Sequence, residues 1–180
     1  MWRRLRPLCT PFAMTPSAHT ATHARSDQPL APTRKPIVIT MGDPAGIGPE
    51  IIAKAFRDEP GLLAGCVVAG DVSAMRRAAH SVGGLLPVAV LVDWQDAATV
   101  PPHCVPVIQA CAPLAAADNW ADLPALGQVS AAAGRAAADC IAWAAHAALR
   151  GDAAAVVTAP IHKEAFSAAG LTFPGHTEYL

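Results

Sequence analysis

Nowhere in this chain of 180 residues does an apolar run approach the roughly 20 uninterrupted residues that a membrane-spanning helix requires. The nearest, the alanine-rich stretch 131–149, is interrupted by Arg135, Asp139 and His146. A soluble protein with no membrane partner is therefore expected. Charged residues are scarce at 15%, against 53% hydrophobic, which is ample for a buried core. The five cysteines, Cys9, Cys66, Cys104, Cys111 and Cys140, form no C-x-x-C pair and show no zinc-finger spacing. Cys66 and Cys140 sit in apolar runs, where a buried free thiol is the simplest reading, and a reducing cytoplasm fits that usage. Two phosphate fingerprints are also missing. There is no G-x-G-x-x-G and no Gly-Lys-Ser/Thr, which excludes the common dinucleotide turn and the P-loop.

The net charge of −1 hides an asymmetry. Residues 1–35 sum to +5 and the remainder to −6. An acidic body gives no electrostatic basis for nucleic-acid binding, so an anionic substrate must be held by a few placed groups. Residues 1–34 mix Arg, Pro, Thr, Ser, Ala and His without periodicity, and their prolines forbid a continuous helix. They read as a disordered leader or as a start assigned too early, with Met14 as another initiator. Their acid-poor, Arg-bearing look also resembles a transit peptide, although no amphipathic helix is evident.

What is present begins at Ile37-Val-Ile-Thr-Met-Gly-Asp-Pro-Ala-Gly-Ile-Gly-Pro-Glu50. An apolar strand, a loop of Gly and Pro, and a helix start follow one another almost without spacer. Pro49 suits the first helical position and Glu50 complements the positive helix end. Such a junction is expected to present free N–H groups where anions bind. Asp43 either caps its own loop or orients a polar group.

Further along, Pro49–Arg57 reads as a helix stopping before Pro60-Gly61, and Cys66–Ala69 as a buried strand. Asp71 or Ser73 then caps a helix carrying Met75, Arg76 and Arg77. Val88–Val92 is a third strand. Residues 93–125, broken by five prolines, read as loops around a short strand at Val105–Ile108. Ser130–Arg150 is the longest helix signal, with Ser130 as N-cap and Gly151 as terminator. Its alanines imply close approach to a neighbour. A strand from Ala153 to Thr158 follows. Strands alternating with helices indicate an α/β fold, layered α/β/α around a mainly parallel sheet.

Ligands of such sheets collect at the carboxyl ends of strands. Two segments fall there, the Gly42–Glu50 loop and Thr158–Lys163. His162 and Lys163 can contact an anion or simply open a helix. Gly175-His176-Thr177-Glu178 offers a turn, an imidazole, and a hydroxyl with a backbone N–H at a helix start.

Taken as strings, Met41-Gly-Asp-Pro-Ala-Gly-Ile-Gly-Pro-Glu50, Val156-Val-Thr-Ala-Pro-Ile-His-Lys163, Ala169-Gly170 and Gly175-His-Thr-Glu178 resemble, in order, the 4-hydroxythreonine-4-phosphate dehydrogenase family of vitamin B6 biosynthesis. The resemblance runs from about Lys35 to Leu180. It implies a two-domain subunit like those of isocitrate and isopropylmalate dehydrogenases, working as a homodimer, with residues 35–180 as its N-terminal part. It implies oxidation of the C3 hydroxyl of 4-phosphohydroxy-L-threonine by NAD or NADP. The keto acid then decarboxylates to 3-amino-2-oxopropyl phosphate. His176 and Thr177 match the family's substrate-binding His and Thr. The divalent metal (Zn, Mg or Co) is implied to be held by residues beyond Leu180, so no metal ligand is assigned here, and catalytic and cofactor-binding residues stay unassigned. A molecule ending at Leu180 is expected to lack turnover. Related dehydrogenases of four-carbon sugar acid phosphates or aromatic cis-diols, and a non-catalytic phosphate-binding fragment, remain open.

Overall fold

The computed structural model describes residues 35–116, 119–173 and 175–179, so the expected leader over 1–34 lies outside the described residues. Five short strands carry the fold: β1 (Ile37–Thr40), β2 (Cys66–Gly70), β3 (Val88–Leu91), β4 (Val105–Gln109) and β5 (Ala155–Thr158). They form one sheet in the order β3-β4-β2-β1-β5, with every pairing parallel. The helices are α1 (Gly48–Asp58), α2 (Val72–Ser81), α3 (Ala131–Leu149), α4 (Lys163–Ala168) and α5 (His176–Tyr179). The proline-broken region 93–125 holds two 3-10 turns, Trp94–Thr99 and Trp120–Asp122, on either side of β4. Among the described residues no helix is long and apolar enough to cross a membrane.

Adjacent residues of a strand point to opposite faces. On β2, Val67 packs with Leu91, Ile108 and, from α3, Trp143. Val68 instead joins Ile52 and Phe56 of α1 and Met75 and Ala78 of α2. One face of the sheet is thus covered by α3, which runs against β2, β1 and β5, and the other by α1 and α2. The layered α/β reading holds. Both apolar-run cysteines are buried, as expected. Burial pushes the Cys66 thiol up, and contact with Cys111 together with burial pushes Cys140 up, so both stay protonated and inert.

Helix boundaries follow their caps. In α1, Gly48 takes the first position and Pro49 the second, one residue off expectation but still within the turn whose N–H groups lack partners. Ile52, Ala53 and Phe56 turn inward, the spacing of an amphipathic helix. Of the two caps expected for α2, Asp71 is the one used, because its extended backbone lets the carboxylate reach Ala74 N–H at 2.8 Å. At the other end of α3, Gly151 at φ 72° lets its own N–H reach the Ala148 carbonyl and Asp152 N–H reach that of Ala147.

Asp71 does more than cap. Its other oxygen accepts from Gln109 Nε2 and from Leu114 N–H, both at 3.0 Å, tying the loop after β4 to the end of β2. The side chain is buried, so loss of the acceptor strands three donors. Asp71→Ala is expected to lower stability by about 2 kcal/mol, and Asp71→Asn by roughly half that, since an amide keeps one acceptor oxygen. Urea unfolding of the two variants checks the order; equal midpoints would show that only the cap matters.

Candidate functional site

Pairing of Thr40 with Thr158 brings the carboxyl ends of β1 and β5 level, so the segments that follow leave the sheet side by side. Ala159 N–H donates to the Thr40 carbonyl at 3.2 Å, and Asp43 N–H donates to the Pro160 carbonyl at 2.9 Å. The two segments that sequence placed at strand ends are therefore hydrogen-bonded to each other. Gly42 makes the junction, with φ at 74° and its α-carbon pressed against the Ala159–Pro160 backbone.

Within the glycine-rich loop, Asp43 is buried and its Oδ1 accepts from Ala45 N–H at 2.8 Å, while Gly46 N–H donates to the Asp43 carbonyl at 3.0 Å. Of the two roles expected for Asp43, capping its own loop is the one observed. The expected row of free donors is thereby shortened to the helix start, where α1 has no side-chain cap bond. Three of the N–H groups, those of Asp43, Ala45 and Gly46, are spent inside the protein, so this part of the loop acts as a rigid ledge.

The ledge is braced from α2. Arg77 Nη2 donates to the Pro44 carbonyl at 2.8 Å and Nη1 to the Pro124 carbonyl at 3.0 Å. Gly127 N–H adds a bond to the Ala45 carbonyl at 2.8 Å. Burial pulls the Arg77 pKa down while Asp71 and Glu50 pull it up; a guanidinium stays charged throughout. Nothing in the sequence marked Arg77 for this task, because both of its acceptors are main-chain carbonyls.

On the other side stands His176. Its Nε2 lies 3.1 Å from the Ala159 carbonyl oxygen, the residue between Thr158 and Pro160. A carbonyl can only accept, so Nε2 carries the proton and Nδ1 is left for another partner. Thr177 follows, exposed, in the four-residue α5. The Tyr179 ring anchors that turn, meeting Phe166 of α4 edge-on at 5.8 Å and Phe173 at 5.2 Å. His176 is thus brought beside the Gly42–Asp43 turn although more than 130 positions separate them in the sequence. His162 and Lys163 open α4 and are exposed, with no side-chain cap bond from His162.

A metal ion needs several convergent His, Cys or carboxylate ligands. Among the described residues no three such side chains are grouped to hold one. Asp43, the carboxylate of the turn, has its Oδ1 engaged by Ala45 N–H.

The family model described as "Pyridoxal phosphate biosynthetic protein PdxA" matches residues 63–180. The chain is 40% identical over 145 residues to the 4-hydroxythreonine-4-phosphate dehydrogenase of Beijerinckia indica subsp. indica, covering 81% of this chain and 40% of that protein. It is 42% identical over 148 residues to the D-threonate 4-phosphate dehydrogenase of Salmonella typhimurium, covering 81% and 43% respectively. The fold matches the crystal structure of a 4-hydroxythreonine-4-phosphate dehydrogenase from Klebsiella pneumoniae with a TM-score of 0.70 at 39% identity, over 82% of this chain and 43% of that one. The chain therefore spans about two fifths of the length of these relatives.

Proposed function

Because this chain belongs to the PdxA family, we propose that it forms the substrate-holding edge of a dehydrogenase acting on a small 4-phosphorylated hydroxy acid. The leading substrate is 4-phosphohydroxy-L-threonine, oxidised at its C3 hydroxyl to a keto acid that decarboxylates to 3-amino-2-oxopropyl phosphate. D-threonate 4-phosphate is the second reading, favoured by the 42% identity to the Salmonella typhimurium relative. The two substrates share the phosphate and the C3 hydroxyl and differ around C2. NAD or NADP would take the hydride, with the protein supplying position and electrostatics.

The observation that carries this reading is His176 suspended from the Ala159 carbonyl beside the Asp43–Pro160 bond. With Nε2 fixed, Nδ1 accepts from a substrate hydroxyl when the ring is neutral and donates to an oxyanion when it is protonated. Thr177 contributes a hydroxyl and a backbone N–H beside it. A homodimer belongs to the same proposal, and sedimentation of the native protein tests it.

Turnover tests the reading. The native protein is supplied with each phosphorylated acid, with NAD or NADP, and with a divalent cation, and NADH or NADPH formation is followed. His176→Ala is expected to lower kcat/KM by about tenfold to hundredfold, the range for a lost hydrogen bond to a charged group, mostly through KM. Thr177→Ala should cost less. A folded His176→Ala protein with unchanged KM for both acids would remove His176 from the site.

A further inference from the structure

The turn that carries the site has few main-chain devices to hold it. Pro44 lacks an N–H, Ala45 and Gly46 spend theirs on Asp43, and the segment lies beyond the last ladder bond of β1. The facing loop around Pro124 is likewise outside the sheet. Besides the Asp43 N–H to Pro160 bond, three bonds join these loops to the body and to each other: Gly127 N–H to the Ala45 carbonyl, and two from the forked guanidinium of Arg77, which reaches Pro44 with one nitrogen and Pro124 with the other. The charges of Asp71 and Glu50 favour a cation there. Only a planar fork can hold two carbonyls in fixed relative position; an ammonium is a point donor on a flexible stem.

From Pro44 the connection runs on without a gap. The preceding residue, Asp43, donates its N–H to the Pro160 carbonyl. The residue before Pro160 is Ala159, whose carbonyl holds His176. Every step is a main-chain bond or a single peptide link, so displacement of Pro44 is passed to the acceptor of the imidazole.

We infer that Arg77 is a positioning residue for this site: by clamping the Pro44 and Pro124 carbonyls it fixes the Gly42–Gly46 turn and, through the Asp43–Pro160 bond, the Ala159 carbonyl that sets the tautomer and aim of His176. The inference rests on the proposed role of His176 in substrate binding, but the coupling itself is independent of turnover. Arg77 touches no substrate and acts through the turn alone.

The test uses three variants of the native protein. Arg77→Met keeps the apolar stem and removes both donors, whereas Arg77→Lys keeps the charge and reaches one carbonyl. Arg135→Met is the control, since Arg135 pairs with Asp139 at 3.0 Å on the exposed side of α3. The first readout is the nitrogen NMR of the histidine rings, which distinguishes an Nε2-protonated imidazole from its tautomer. In Arg77→Met the His176 signals are expected to leave the Nε2–H position of the parent protein and average between tautomers. KM for the phosphorylated acid should rise about tenfold with kcat changed less than threefold, and Arg77→Lys should recover part of both.

A residue that merely stabilised the fold would lower the unfolding midpoint and leave the His176 signals where they were. Folded Arg77→Met, or folded Arg77→Lys should the former not fold, with parental ring signals and parental KM would overturn the inference. Shifted ring signals combined with a His176→Ala protein of unchanged KM would instead uphold the clamp and reject the substrate role.

Discussion

Replacing Gly42 by alanine is expected to cost about 3–4 kcal/mol, from a left-handed backbone forced on a side chain and from overpacking against a neighbour that cannot yield. The backbone there sits at φ 74°, and an added Cβ would lie 2.3 Å from the Pro160 carbonyl oxygen and 3.0 Å from the carbonyl carbon and oxygen of Ala159. Those atoms are not the end of a flexible side chain. The Pro160 oxygen is held by Asp43 N–H, and the preceding residue is held to β1 through Ala159 N–H and the Thr40 carbonyl. Relief therefore requires β1 and β5 to part at their carboxyl ends, where His176 is hung. Gly83 provides the comparison that separates the two causes. It has nearly the same φ, 78°, and nothing within 4 Å of an added Cβ. Gly83→Ala should thus show the conformational cost alone, about 1 kcal/mol. Urea unfolding of both variants decides: equal losses would mean that the Gly42 turn can open without strain. The same Gly42→Ala protein should bind the phosphorylated acid at least tenfold more weakly if the ledge and His176 are one unit.

Much of this architecture was legible because its signals are local. β-branched runs bounded by Gly or Pro marked all five strands to within two residues. Side-chain caps marked α2 and α3, since an Asp or Ser oxygen competes for the first free N–H groups of a helix wherever it stands. The order of the sheet was not legible. β4 inserts between β3 and β2 because Val107 and Ile108 fill the space beside Val68 and Ala69, a choice made by packing across the sheet. The site divides in the same way. His176 and Thr177 stood out as residue types in a turn, but the acceptor that orients His176 is the main chain of Ala159, and a carbonyl leaves no trace in a residue name. Arg77 escaped notice for that reason too. Fewer donors of the glycine-rich loop are free than expected for a related cause: whether an N–H is free depends on what the fold brings to it, and at Asp43, Ala45 and Gly46 the Pro160 carbonyl and Asp43 itself arrive first.

Gly134 separates local from tertiary reasoning most sharply. It lies in α3 among alanines, and by helix propensity alone Gly134→Ala should stabilise by about 1 kcal/mol. The fold reverses the sign. α3 and α4 approach so closely at this position that an added Cβ would stand 2.0 Å from the Ala165 carbonyl oxygen, 2.3 Å from its carbon and 2.8 Å from Phe166 N. All three are backbone atoms of α4, so the helices themselves must separate. α4 carries Phe166, fully buried against Ala137, Ala138 and Ile141, and the Phe166 ring meets Tyr179, which anchors the turn of His176. A net loss of about 3 kcal/mol is therefore expected in the folded protein, overpacking outweighing propensity. In an isolated peptide of residues 130–150, with no α4 to meet, the same substitution should raise helicity. Circular dichroism of the peptide and urea unfolding of the protein give the two signs. Arg135→Ala, one position along on an exposed face, should shift the protein by less than about 0.5 kcal/mol. Stabilisation of the whole protein by Gly134→Ala would mean that α4 can move off α3 freely, and His176 would then lose the support by which the second motif is brought to the first.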